Sequence, residues 1–364
     1  MEIGIIGLPK SGKTTLFYAL TQGRAEAPAH GGKGPNVGVV RVPDPRLDTL
    51  TTVFKPHRTV QADVTYVDIA VPPQGFSRGD SSGRQSLTQV AKADALIHVA
   101  RAFTDPRVPH PEGSVNPERD LATMNLELAF TDAEFLERRL QRLGESLKAA
   151  KSHERETGQR EQAFLGEIKT RLEAEVPIHA QPLSQEQRHA IENYPLLTTK
   201  PLLLLLNIGE EQLPQADQMV EEFRQKYAGP QTQVVALCAQ LEVELSQMGS
   251  QEAQEFRQAL GATQTSLDQV IQRSFELLGL ITFFTHASNE VKAWTIRRGL
   301  TAPQAAGNVH TDMERGFIRA EVVAYEDLAR LGSLVEARRH GLLRAEGRHY
   351  VVQDGDIITF LFNV

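Results

Sequence analysis

Residues 7–14 read Gly-Leu-Pro-Lys-Ser-Gly-Lys-Thr, the G-x-x-x-x-G-K-[ST] spacing of a phosphate-binding loop. Successive backbone N–H groups and a helix N-terminus make such a loop a cradle for anionic oxygens. Gly7 and Gly12 supply backbone angles and close approach that a Cβ would block. The candidate phosphate set is Gly7, Leu8, Pro9, Lys10, Ser11, Gly12, Lys13, Thr14 and Thr15. Lys13 is expected to reach the β- and γ-phosphates of ATP or GTP, and the Thr14 hydroxyl to ligate Mg²⁺. A second metal-side group is Asp68, which closes the apolar stretch Val64–Asp68 as a Walker B aspartate would.

The base side is less ordinary. Asn207 follows Leu202–Leu206, and Glu210 stands three residues on. In GTPases an Asn-Lys-x-Asp tetrad at this place reads the guanine edge. Here it is Asn207-Ile-Gly-Glu210, with no lysine and an acid one methylene longer. Strict guanine selection is therefore expected to be lost. Cys238 and Ala239, after the last predicted strand, complete the candidate nucleotide set.

These residues need a sheet to hold them. Glu2–Ile6, Val37–Val42, Val64–Ile69, Asp94–Ala100, Pro201–Leu206 and Gln233–Leu237 read as strands, with a helix predicted over Gly12–Thr21. Strands separated by helical stretches imply an α/β fold: a parallel sheet with helices on both faces. Loops are expected at Ala25–Asn36 and Pro72–Gly83. From about Leu126 to Leu172 the chain reads as charged helix. Leu136, Leu140, Leu143 and Leu147 make a coiled-coil-like seam opposite Phe164, Ile168 and Leu172. Thr157-Gly158 is the expected turn of this antiparallel hairpin, read either as a docking arm or as a solvated insertion. The last stretch is α+β, with strands expected at Ile281–Thr285, Glu290–Ile296, Gly316–Val323, His349–Val351 and Ile357–Phe362, and one or two helices. The domains are then 1–125 and 196–280 for the two parts of a P-loop unit, 126–195 for the hairpin and 281–364 for a C-terminal domain.

Composition sets outer bounds. A chain of 364 residues suggests two or three domains, since one core rarely grows past ~250–300 residues. Hydrophobic residues at 40% and charged residues at 23% exclude collagen and wholesale disorder. The lone Cys238 permits no internal disulfide and no cysteine metal cluster, so a reducing compartment fits. The N-terminus has no basic segment of a signal peptide, and no apolar run approaches a membrane span, so the expectation is a cytoplasmic protein with no membrane partner. A net charge of −7 argues against sequence-independent nucleic-acid binding by the whole chain.

The residues together resemble the YchF/Obg-like ATPase family. The resemblance rests on Gly-Leu-Pro-x-x-Gly-Lys at 7–13, Thr-Leu-Phe at 15–17, Pro-Asn-Val-Gly-Val-Val at 35–40, Val-Pro-Asp-Pro-Arg-Leu-Asp at 42–48 and Val-Asp-Ile-Ala at 67–70. Near the C-terminus it rests on Lys292-Ala-Trp-Thr-Ile, Ala302-Pro-Gln-Ala-Ala-Gly, Glu314-Arg-Gly-Phe-Ile-Arg-Ala-Glu321 and Gln353-Asp-Gly-Asp-Ile. It implies a translation-factor-class P-loop domain, a helical hairpin insertion and a ubiquitin-like β-grasp (TGS) domain over 281–364. It implies ATP preferred over GTP, Mg²⁺, and a ribosome or RNA partner met through the hairpin and the TGS domain. It also places a catalytic, water-orienting histidine at His110, within Val108-Pro-His110-Pro-Glu-Gly-Ser-Val-Asn-Pro117.

Three departures from the family pattern lie around the γ-phosphate. The switch threonine falls on Gly32, the switch glycine on Val71, and the cation-binding asparagine of the P-loop on Lys10. Two functions therefore stay open: a slow Mg²⁺-dependent ATPase acting as a translation-linked switch, and an interaction module that holds nucleotide without turnover.

Overall fold

The computed structural model describes residues 1–23, 35–70, 81–149, 151–227, 229–259, 266–287 and 289–363. The switch readings at Gly32 and Val71 fall outside these residues, as do most of the loops expected at Ala25–Asn36 and Pro72–Gly83; of their described ends, Asn36 opens a strand and Ser81–Gly83 opens a helix. In chain order the elements are β1 (Glu2–Ile6), α1 (Lys13–Thr21), β2 (Asn36–Arg41), α2 (Arg46–Phe54), β3 (Arg58–Val60), β4 (Asp63–Asp68), α3 (Ser81–Lys92) and β5 (Ala95–Arg101). Then come α4 (Pro117–Ala149), α5 (Ser152–Glu173), α6 (Gln185–Ile191), β6 (Leu202–Asn207), α7 (Ala216–Tyr227), β7 (Thr232–Leu237), α8 (Ala239–Ser246), α9 (Ser250–Ala259) and α10 (Ser266–Leu277). The chain ends with β8 (Leu280–Ala287), β9 (Glu290–Arg297), α11 (Ala302–Val309), α12 (Thr311–Arg315), β10 (Phe317–Ala324), α13 (Tyr325–Leu331), α14 (Leu334–Arg339), β11 (Arg344–Glu346) and β12 (Asp356–Phe362).

Two compact units result, Met1–Gly38 with Thr65–Val270, and Val39–Val64 with Ile271–Val364. This corrects the expected boundaries, because Val39–Val64 clusters with the C-terminal unit and not with the P-loop part.

The first unit is built on a six-stranded sheet of order β2-β4-β1-β5-β6-β7, parallel from β4 through β7. The strands β5 and β6 are buried at every position, which is why they read as continuous apolar runs and not as alternation. Their C-terminal ends, Arg101 and Asn207, lie opposite one another in register.

α4 begins at Pro117, well before the expected Leu126. Asn116 accepts from Arg119 N at 3.1 Å, which caps the helix ahead of a proline at its first position. The first turns put Leu121, Met124 and Leu128 into the core over the sheet. Further along, Leu136 packs with Leu165, Ile168, Leu172, Ile178 and Leu196 in a separate core. One continuous helix thus roots the hairpin in the sheet.

The hairpin turn is not at Thr157-Gly158, for α5 runs straight through it. A Cβ on Gly158 would stand 2.6 Å from Leu147 Cδ2. That glycine serves close helix approach, and the chain reverses between Ala149 and Ser152.

The second unit holds a sheet of order β11-β10-β12-β8-β9-β3. β8 and β9 form an antiparallel hairpin, and β12 runs parallel to β8. Ala302, Ala305 and Ala306 of α11 bury a small-residue face against Phe283, Ile296, Phe317 and Val322. Arg46 joins Asp44 and Asp354, both at 2.8 Å, which ties the 39–64 segment to this core. The expected strand His349–Val351 is only a bridge from Val351 to Thr301, while Arg344–Glu346 is a strand and four helices replace the expected one or two.

Candidate functional site

The P-loop joins β1 to α1. Ser11 N donates to Leu8 O at 3.2 Å, and Leu16 N to Gly12 O at 2.9 Å. Gly12 caps the helix at φ 90°, and Lys10 is also left-handed, at φ 65°. A Cβ on Gly7 would stand 2.5 Å from Val99 O and 2.8 Å from Ser11 Oγ, and one on Gly12 would run into the Asn207 amide. Both glycines are thus required by neighbouring protein atoms as well as by the cradle.

Thr14 Oγ1 donates to Asp68 Oδ2 at 2.9 Å. Asn36 Nδ2 reaches the same oxygen at 3.4 Å. Asp68 Oδ1 is buried and has no hydrogen-bond partner. A carboxylate oxygen left bare beside a P-loop hydroxyl is the donor set a hydrated Mg²⁺ takes, since that ion keeps waters and few protein ligands. The residues fit the metal. Lys13 is held below its ordinary pKa by burial, with the Asp68 charge opposing the shift. A desolvated ammonium here gains from an incoming anion. Ser11 Oγ is also buried without a partner in the cradle.

Asn207 knits the site. Its Nδ2 donates to Ser11 O at 2.9 Å, and its Oδ1 accepts from Ala239 N at 3.1 Å. The carbonyl of Asn207 takes Ala102 N at 2.8 Å and Phe103 N at 3.1 Å. Cys238 is buried, its thiol pushed up mainly by desolvation, and the Glu210 charge is among the lesser causes. Glu210 itself is exposed. Asn207 thus joins Ser11 of the P-loop to Ala239, next to Cys238, while Glu210 lies on the exposed side near Cys238.

His110 is placed differently from the expectation of an open loop histidine. Its side chain is 4% exposed, with Nε2 2.8 Å from Asp120 Oδ2. Glu112 N donates to its Nδ1 at 3.1 Å, so Nε2 carries the proton given to Asp120. Arg119 holds Asp120 Oδ1 at 2.9 Å and Ser114 O at 2.7 Å. Both ring nitrogens are engaged, and in this arrangement neither is offered to the phosphate cradle. Lys10 meets the same loop, its Nζ donating to Pro109 O at 3.3 Å.

Sequence reasoning did not single out Asn36, Arg119 or Asp120. Asn36 lies in the stretch matched to the family, and Asn116-Pro117 is a readable helix cap. The Asp120 contact needs the fold.

Residues 280–363 match the YchF-GTPase_C family model, described as a protein of unknown function. Over 368 residues the chain is 41% identical to the ribosome-binding ATPase YchF of Bacillus subtilis (strain 168), covering 100% of both. The chain belongs to the YchF family. The protein of the same name from Escherichia coli O157:H7 is 40% identical over 365 residues, covering 100% of this chain and 99% of that one. The Schizosaccharomyces pombe YchF GTPase superposes with a TM-score of 0.87 at 32% identity, over 99% of this chain and 97% of that chain. A YchF fold therefore holds across both units, and the departure at Lys10 sits within a family member's P-loop. Among the described residues no helix is long and apolar enough to cross a membrane.

Proposed function

We propose that this protein is a slow, Mg²⁺-dependent nucleoside-triphosphate hydrolase that takes ATP at least as well as GTP and acts at the ribosome. The observation that carries this reading is the Thr14–Asp68 pair at 2.9 Å beneath the P-loop, with Asp68 Oδ1 buried and bare. The names of the full-length relatives, ribosome-binding ATPases, support the nucleotide and the partner. Lys13 holds the β- and γ-phosphates, and Asn207 fixes the P-loop against the Cys238-Ala239 turn. Thr14 and Asp68 would hold Mg²⁺, which would supply neutralisation of the phosphate charge. Glu210, in the place of a guanine-reading aspartate, supports relaxed base choice. The hairpin and the C-terminal unit are the docking elements.

His110 orients the attacking water once its Nε2 leaves Asp120. Slow turnover follows, because that release breaks a buried hydrogen bond to a charged group, a contact worth about 1.5–3 kcal/mol. A second reading, nucleotide holding without hydrolysis, is favoured by the same His110–Asp120 contact if it never opens. Steady-state turnover with ATP and Mg²⁺, alongside an ATP/GTP competition titration, tests the proposal. Measurable turnover and no guanine preference beyond a few-fold are expected, and Asp120→Asn should alter turnover by weakening the hold on His110. A strong guanine preference refutes the base assignment, and the absence of turnover in both proteins leaves the second reading standing.

A further inference from the structure

Arg101 closes β5, and no step above uses it. It is 2% exposed. Its Nε donates to Phe103 O at 3.2 Å and its Nη2 to Val108 O at 2.7 Å. The guanidinium carbon stands 4.3 Å from the centroid of the Phe103 ring. Nη1 is buried with no hydrogen-bond partner. Asp105 feels the Arg101 charge, yet Asp105 is already taken by Arg107 at 3.1 Å. Arg101 is therefore a buried cation with two carbonyls, one ring face and, among the described residues, no carboxylate bonded to it. Such a group is costly to keep, and an apolar side chain like those of Ile97 and Val99 on the same strand would avoid the cost.

What the cation holds explains its presence. The stretch from Phe103 to Val108 starts on the Asn207 carbonyl and leads to Pro109, which accepts from Lys10, and then to His110. The Phe103 ring edge lies 3.8 Å from where a Cβ on Gly12 would be. The loop root thus touches the P-loop from two sides, and Arg101 binds it at both ends, Phe103 and Val108.

We propose that Arg101 is a positioning residue: its two-pronged guanidinium pins the root of the 103–108 loop beside the P-loop and so limits the arc over which His110 moves. Lysine cannot substitute, because one ammonium lacks the planar fork that spans both carbonyls and the ring face. The effect on turnover rests on the hydrolase reading above, whereas the effect on the loop does not.

The test uses the full chain with Arg101→Met and Arg101→Lys, read by amide hydrogen exchange and by ATP turnover. Peptides covering 103–112 should exchange about tenfold faster or more in both variants, while β5 and β6 keep wild-type protection. Turnover should show kcat reduced about tenfold with KM for ATP changed less than about threefold, the signature of lost positioning and not of lost binding. Wild-type exchange over 103–112 in a folded Arg101→Met overturns the proposal, as does Arg101→Lys with wild-type exchange and kcat. If Arg101→Met does not fold, Arg101→Lys decides by the same exchange measurement. A wild-type protein without turnover would refute the hydrolase reading and leave the exchange experiment to judge Arg101.

Discussion

Asp68 and Asp132 are both buried carboxylates of the P-loop unit, and they are satisfied in opposite ways. Asp132, on α4 at the root of the hairpin, is 1% exposed and accepts from Leu197 N at 2.8 Å, Thr198 N at 2.8 Å and Thr198 Oγ1 at 2.7 Å. Asp68, 7% exposed, has two donors crowded on one oxygen and none on the other. The first arrangement is closed within the protein and holds a chain reversal in place. The second is open by one oxygen and waits on something from outside. A buried polar atom without a partner is destabilising, and at Asp68 the Mg²⁺ proposed above would restore the balance.

The largest expected effect separates the two directly. Asp132→Ala leaves Leu197 N and Thr198 N buried without acceptors and should lower unfolding free energy by about 3 kcal/mol or more. Asp68→Ala removes one bare oxygen together with the acceptor of two part-buried donors, Thr14 Oγ1 and Asn36 Nδ2, and should cost less, about 1–2 kcal/mol, while abolishing the Mg²⁺ dependence of nucleotide binding. Urea unfolding of both variants settles it. Equal destabilisation would show that Asp68 is as structural as Asp132.

Next in size, Lys13→Ala should weaken ATP binding by about 1.5–3 kcal/mol, roughly 10–150-fold, with the unfolding midpoint nearly unchanged. The cause is the same openness: Lys13 is desolvated by burial and its only opposing influence is the Asp68 charge. Unchanged ATP affinity would remove the phosphate assignment altogether.

A third contrast concerns pH. His98, 1% exposed on β5, has neither ring nitrogen hydrogen-bonded, and burial pushes its pKa from an ordinary 6.5 to about 3. Between those values the unfolded chain binds a proton that the folded chain refuses. Stability therefore falls as pH drops below about 6.5, by up to about 1.4 kcal/mol per unit. Asp132 works the other way, its pKa raised to about 6 chiefly by burial, so its protonation favours the folded state below that pH. His98→Leu should flatten the acid limb of the stability curve, and Asp132→Asn should steepen it. An unchanged acid limb in His98→Leu would mean that the ring is hydrated and not dry.

Much of the phosphate half was legible because its signals are local. The strand–glycine loop–helix run at 2–21 and the strand-end Asp68 follow from spacing alone, and five apolar strands fall within a residue or two of their expected limits. What escaped depends on distant partners. Arg58–Val60 is a strand only because β9 offers an edge to it. Gly158 looks like a turn residue until Leu147 packs on it. His349–Val351 has strand composition but meets Thr301 at a single bridge. Arg101 left a readable trace, a charge closing the buried strand Ala95–Arg101, yet its meaning lies in the carbonyls of Phe103 and Val108. His110 is named by its loop, whereas its buried partner Asp120 sits ten residues on, across the start of a helix.

The smallest expected effect belongs to Lys10, where the open site meets the loop of His110. A lysine at φ 65° is disfavoured by its Cβ, and asparagine tolerates that region better. Its Nζ bond to Pro109 O, at 3.3 Å and exposed, returns little. Lys10→Asn should thus raise stability by about 0.5 kcal/mol, read as a small upward shift in Tm. Lys10→Asn also tests the proposal that this ammonium stands in for the monovalent cation that an asparagine there would help bind. Wild-type turnover should then be indifferent to exchanging K⁺ for Na⁺, and Lys10→Asn should acquire a K⁺ requirement. A wild-type rate that climbs many-fold in K⁺ would show that Lys10 is no tethered cation, and that its contact with Pro109 is all it contributes.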